Sequence, residues 1–276
     1  MNLDKIKKNF DDCGYVTIKN FLNDQEINKL RSFMIEYEQT KNDKNDFILK
    51  TEMGKEILKR TINFTNMLFK KKYHYTGESS FSYDDINSAR VWHRDSKATN
   101  FANLDYKQND ILRFMFYFQD HEAYSYGTKY IPGSNKRSLY RFWNYKFYLN
   151  PLRHLPGEVK AMLKGVKINN FKLRNLLPVN IFNSHNPKVK AGDMNFWSLR
   201  TVHAGNFIRI KFFKNLSFPI FIEEIIKLPF LNKLILKENK KRVVMGFSLG
   251  LNNLQTKNYI KQRISVNAIP SKYEEK

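Results

Sequence analysis

Residues 112–119 alternate strictly. Leu112, Phe114, Phe116 and Phe118 fall on one side of an extended chain, and Arg113, Met115, Tyr117 and Gln119 on the other. A period of two demands a strand with one tightly packed face and one face that carries polar groups. After Lys72 short β-rich runs dominate, this one among them: Ser88–Trp92, Ile111–Gln119, Lys129–Ile131, Asn195–Ser198 and Val243–Leu249. Turn signals such as Ile131-Pro132-Gly133-Ser134 and Ala191-Gly192-Asp193 separate them. Ahead of them lie a short helix over residues 3–10, a strand at Tyr15–Ile18, and two further helices. The first of these opens after Asn23, with Glu26 three residues on as a capping box, and carries Ile27, Leu30, Phe33 and Met34 on one face. The second covers residues 52–70. Helices first and strands after predict an α+β, mainly β chain built around a sandwich or barrel.

The 276 residues contain no internal repeat and no Gly/Ser/Pro linker, so 1–276 reads as one domain. An apolar fraction of 42%, with 23 Phe and 15 Tyr, excludes a disordered chain. One cysteine, Cys13, excludes an intrachain disulfide framework and a cysteine-based zinc cluster. No apolar run reaches membrane-spanning length, and residues 1–9 lack a signal core. The expected location is therefore a reducing, cytoplasmic compartment.

The formal net charge is +22. Ten Lys/Arg against one acid lie between Lys136 and Arg174, and nine against three between Phe207 and Arg242. Both stretches are also rich in Phe, Leu and Ile. A general lysine bias of the sequence explains part of this charge. The rest favours anionic partners: a small or lipid-linked anionic substrate, or peripheral contact with an anionic membrane at its inner face.

Chemistry concentrates at Trp92-His93-Arg94-Asp95. In a strand His93 and Asp95 point the same way, and an imidazole and a carboxylate side by side suit one metal ion. His203, in Val202-His203-Ala204-Gly205-Asn206, is the best third ligand. Two histidines and one carboxylate form the facial triad of non-haem Fe(II) oxygenases, with coordination positions left open. His74, His121, His154 and His185 lie outside any motif and read as surface or hydrogen-bonded histidines.

Around these residues the chain resembles the phytanoyl-CoA dioxygenase-like family of Fe(II)/2-oxoglutarate-dependent oxygenases. The matching segments are Phe10–Ile18 with Asn20-Phe21-Leu22, His93-Arg94-Asp95, Leu112–Asp120 leading to Ile131-Pro132-Gly133-Ser134-Asn135, and Ala191-Gly192-Asp193 through Phe196 to His203–Asn206. The resemblance implies a double-stranded β-helix (a jelly roll, cupin-like) with N-terminal helices on one sheet. It implies Fe(II) on His93, Asp95 and His203, with 2-oxoglutarate and O2 as co-substrates. Asp95 stands where a halogenating relative would need a small residue. The family also holds 2-oxoglutarate with an Arg about a dozen residues past the distal His, and here the sequence departs. Lys214 sits near that spacing and Arg209 earlier, but Arg242 opens the best final strand. We read 207–241 as an insertion and take Arg242 as the co-substrate residue, with Ser248, Tyr117 and Arg113 as further cofactor-binding candidates. Barrel filling is the competing role for Tyr117 and Arg113. A second insertion covers 139–187. The two insertions serve either as lids or as a membrane-docking surface. The expected activity is hydroxylation of an unactivated C–H with release of succinate and CO2. A second reading is a non-catalytic jelly-roll protein that binds nucleic acid or an anionic membrane through its basic aromatic surface. The metal motif disfavours nucleic acid.

Overall fold

The computed structural model describes residues 2–39, 46–85, 95, 110–120, 127–136, 185–205, 241–265 and 269–273. His93, His121, His154, the run at Ser88–Trp92 and nearly all of both insertions lie outside the described residues.

Helix α1 (Leu3–Cys13) leads into strand β1 (Tyr15–Ile18), then α2 (Asp24–Gln39) and α3 (Glu52–Phe69). Strands β2 (Tyr73–Asp85), β3 (Ile111–Tyr117), β4 (Thr128–Tyr130), β5 (Met194–Ser198), β6 (His203–Gly205) and β7 (Lys241–Leu251) follow, then α4 (Leu254–Ser265) and a short 3-10 turn at Ser271–Tyr273. The capping box forms as expected: Glu26 N–H donates to Asn23 Oδ1 and Asn23 N–H to Glu26 Oε2, both at 2.9 Å. Two elements were not anticipated. β2 is a 13-residue strand, and α4 is a 12-residue helix.

The described strands form two antiparallel sheets. One has the order β1-β5-β3-β7-β2, and β4 pairs with β6 in the other. This agrees with a jelly-roll-like arrangement. Strand register sorts the large sheet into two faces. Phe114 stands opposite Phe196 on β5 and Phe247 on β7, and their rings stack at 5.5 Å on either side. Phe116 continues the row at 5.4 Å from Phe247. Leu112, Met194, Met245 and Leu249 lie on the same side, buried under Phe10 of α1, Leu30 and Met34 of α2, and Ile57, Phe64 and Leu68 of α3. The apolar half of the 112–118 alternation is thus the seam between sheet and helices.

The opposite face carries Thr17, Asn195, Trp197, Arg113, Met115, Tyr117, Arg242 and Ser248 in paired positions. It is buried too, yet rich in polar groups. Two glycines set the chain's approach to it. Gly14, at φ 82°, ends α1 in the left-handed region, where a Cβ would strike the Asn135 side chain at 2.4 Å. Gly192, at φ 87°, turns the chain into β5 against the Leu22 carbonyl, which a Cβ would meet at 2.7 Å. Asp193 beside it is wholly buried and locks that turn by accepting from the backbone N–H groups of Asn20 and Lys190.

Candidate metal centre

His203 is positioned by the turn that follows β4. Ile131 N–H donates to the Val202 carbonyl at 3.0 Å, and Val202 N–H donates to Ser134 Oγ at 2.9 Å. Tyr130 is then the strand partner of His203. The Pro-Gly-Ser turn therefore acts by fixing the backbone that presents the imidazole. His203 Nδ1 lies 3.0 Å from the Thr201 carbonyl. A carbonyl only accepts, so Nδ1 carries a proton, and in the neutral ring Nε2 is then the nitrogen with the free lone pair. Metal-binding histidines need that tautomer.

Nε2 points at Asp95, whose Oδ1 is 3.5 Å away. Two cis donors on one ion with bonds of about 2.1 Å stand about 3 Å apart, so a cation fits between them with little adjustment. Asp95 Oδ2 accepts a hydrogen bond from Trp197 Nε1 at 3.1 Å, which orients the carboxylate. His203 is buried and Asp95 partly so. Among the described residues no group of three His, Cys, Asp or Glu side chains is assembled, since His93 lies outside them.

Of the four cofactor-binding candidates, the structure brings together Arg242 with Tyr117, and Arg113 with Ser248. Arg242 is 3% exposed at the start of β7. Burial pushes the Tyr117 phenol up, while its hydrogen bond with Thr128 and the nearby Arg242 guanidinium act against that rise. Tyr117 donates to Thr128 Oγ1 at 3.2 Å and accepts from Asn195 Nδ2 at 3.0 Å. Asn195 is held in turn by the Thr17 hydroxyl at 2.7 Å. This is a buried, hydrogen-bonded corner with the Arg242 guanidinium beside it.

Ser248 lies six residues further along β7, about 20 Å at strand rise, and belongs to another cluster. Its hydroxyl donates to Glu78 Oε2 at 3.0 Å and accepts from Arg113 Nη1 at 3.0 Å. Arg113 also pairs with Glu78 at 3.1 Å, while Tyr259 and Arg263 of α4 complete the shell around that carboxylate. Burial alone would raise Glu78, but Arg113 and Arg263 outweigh it and hold the carboxyl below its usual range. Burial would likewise lower Arg113, and Glu78 with Asp95 raises it instead. Arg113 thus links the Glu78 cluster electrostatically to Asp95.

The sequence reading missed Trp197, Asn195, Thr128 and Glu78. The alternation Asn195-Phe196-Trp197 carried a signal for the first two, since residues two apart from Asn195 share its face. Glu78 had none locally, because its partners Arg113 and Arg263 are 35 and 185 residues away in the chain.

No family model matches the sequence, and no curated protein does. Solved structures do match the fold. The epimerase SnoN, solved with Fe3+, alpha-ketoglutarate and nogalamycin RO, aligns over 90% of this chain and 83% of its own, with a TM-score of 0.57 and 12% identity. HygX from Streptomyces hygroscopicus, solved with nickel and 2-oxoglutarate, covers 90% and 87%, with a TM-score of 0.52 and 12% identity. The non-haem alpha-ketoglutarate-dependent carbocyclase SnoK covers 90% and 83%, with a TM-score of 0.54 and 13% identity. At these identities the likeness is one of fold: the chain is built on the same scaffold as these enzymes.

Proposed function

We propose that this chain is an Fe(II)- and 2-oxoglutarate-dependent oxygenase of the phytanoyl-CoA dioxygenase-like type. One observation carries the reading: Asp95 and His203, 108 residues apart, converge at 3.5 Å on the polar side of the sheet. The ligand set would be His93, Asp95 and His203. The fold shared with enzymes solved with iron or 2-oxoglutarate supports it.

Bound iron, with 2-oxoglutarate and O2, supplies an oxidant strong enough to remove hydrogen from an unactivated C–H, with release of succinate and CO2. The chain's own residues do the rest. Trp197 fixes the Asp95 carboxylate, and Thr201 fixes the His203 tautomer. Arg242, with the Tyr117 and Thr128 hydroxyls, would hold the far carboxylate of 2-oxoglutarate, for which a planar guanidinium is well shaped. Burial of this corner excludes water.

We take the outcome to be hydroxylation, although SnoN and SnoK are an epimerase and a carbocyclase on this scaffold. The +22 charge supports a small or lipid-linked anionic substrate, and the two basic insertions supply the surface for it. Among the described residues no helix is long and apolar enough to cross a membrane.

The test is anaerobic titration of metal-free protein with Fe(II) and 2-oxoglutarate, following the visible metal-to-ligand charge-transfer band. The wild type is expected to develop it. His93→Ala and His203→Ala should lose it, and Arg242→Ala should need far more 2-oxoglutarate. A folded wild-type protein without the band refutes the reading.

A further inference from the structure

Three aromatic side chains form a continuous chain of ring contacts that begins at the candidate metal centre. Trp197 touches both described ligands: its ring centroid is 5.0 Å from that of His203, and its Nε1 donates to Asp95. Tyr130 follows at 5.6 Å from Trp197. Tyr15 lies on Tyr130 at 4.2 Å, with the ring planes nearly parallel at 6°. All three rings are buried, with Trp197 and Tyr130 at 1% and 0% exposure. The stack ends at His185, which is exposed and whose Nδ1 pairs closely with the Tyr15 hydroxyl. Each link from ligand to surface is 6 Å or less between ring centres.

Packing alone does not require this composition. The helix-facing side of the same sheet is filled with Phe, Leu and Met, whereas here the side chains are two phenols and an indole, which lose single electrons far more readily. The outermost phenol alone is matched to an imidazole.

We propose that Trp197, Tyr130 and Tyr15 form a conduit that drains oxidising equivalents from the metal centre to the surface when O2 reacts without substrate. The inference rests on the oxygenase reading above. The step balances as follows. An iron-centred one-electron oxidant takes one electron from Trp197, which is refilled through Tyr130 from Tyr15. Tyr15 breaks its O–H bond as it is oxidised, and the proton goes to His185 Nδ1. The products are a neutral tyrosyl radical, a protonated His185 and an oxidant reduced by one electron. Burial keeps the His185 pKa below its ordinary value, so the ring is neutral and ready to accept. The exposed His185 beside Tyr15 is where external reductants approach to quench the radical.

Two arms test it. In the first, metal-free protein is photo-oxidised with a ruthenium polypyridyl sensitiser and persulfate, and electron paramagnetic resonance reads the radical. The expected signal is a neutral tyrosyl, lost in Tyr15→Phe, which keeps the stacked ring, and shortened in lifetime in His185→Gln. In the second, Fe(II)/2-oxoglutarate-loaded protein is mixed with O2 without substrate. Succinate, radical and oxidised side chains mapped by mass spectrometry are followed together. Tyr15→Phe is expected to move the damage inward to Trp197 and to speed self-inactivation. Succinate without a Tyr15 radical, or oxidation settling on neighbouring Cys13 instead, overturns the conduit and leaves the oxygenase standing. No succinate and no charge-transfer band overturn the oxygenase, and the first arm then still decides whether Tyr15 is the terminal phenol.

Discussion

Replacing Glu78 with Gln should reveal how much the molecule depends on one buried charge. Gln matches the shape and keeps acceptors for the Ser248 and Tyr259 hydroxyls, so what disappears is the anion between two guanidinium groups. Removing one member of a buried ion pair costs about 3–5 kcal/mol. Arg113 is 15% exposed and would bear that cost in full, whereas Arg263 at 31% can turn partly to water. The expected loss is therefore near the lower end, about 3 kcal/mol, or a fall in Tm of roughly 6–10 °C. The pH dependence follows from linkage. A carboxyl held below its ordinary value of 4.5 stabilises the fold above that pH, and the stabilisation is lost as pH falls through the lowered value. Wild type and variant should thus differ fully at neutral pH and converge in acid. Urea unfolding followed by circular dichroism from pH 7 to pH 2 reads both. A difference below about 1 kcal/mol at neutrality, or one that widens on acidification, would refute the electrostatic argument. Arg113, no longer neutralised, would also compete for Asp95, so Fe(II) should bind about tenfold more weakly.

Three further outcomes can be measured directly. Trp197→Phe keeps an aromatic ring but removes the indole N–H, and in protein confirmed to be folded should weaken Fe(II) binding by about 10–100-fold in a competition titration, alongside the stability cost of the cavity it leaves. Arg242→Lys keeps the charge but not the fork, and should raise the KM for 2-oxoglutarate far more than it lowers kcat; an unchanged KM would remove Arg242 from the co-substrate site. Phe114→Ala empties the centre of the phenylalanine row and should cost about 3–5 kcal/mol in denaturant unfolding, without moving the charge-transfer band once the protein is folded.

The parts of the fold legible in the sequence were those written in local periodicity. Residues 112–118 named both faces of the sheet, Asn23 and Glu26 marked the start of α2, and the turn at 131–134 marked the lead-in to the metal centre. Strand β2 was hidden because Thr76-Gly77-Glu78-Ser79-Ser80 is short, polar and broken by a register shift between Tyr75 and Ser79, so it shows no period of two. Helix α4 was hidden because it buries only Thr256, Tyr259 and Ile260. At the metal centre Asp95 and His203 were legible as residue types, and the structure adds their convergence. The groups that orient them were not, because Trp197 reads as core in any linear scan and its bond to Asp95 spans 102 residues. Arg113 looked like a pocket residue by its face. Only the three-dimensional pairing shows that Glu78 and Ser248 already engage it.

The strand order has a consequence for how the chain is made. β7, the last strand described, lies between β3 and β2, and among the described strands β2 has no other partner in that sheet. β1, made first, pairs among the described strands with β5, some 180 residues later. A nascent chain therefore carries its helices and the phenylalanines of β3 and β5 without a closed sheet until residue 251 has left the ribosome. At about 5–20 residues per second that wait is on the order of ten seconds or more. During it Phe114, Phe116 and Phe196 lack their final cover. Chains that end before β7 should accordingly associate through this face rather than fold, and folding in the cell should be sensitive to whatever shields it in the interval.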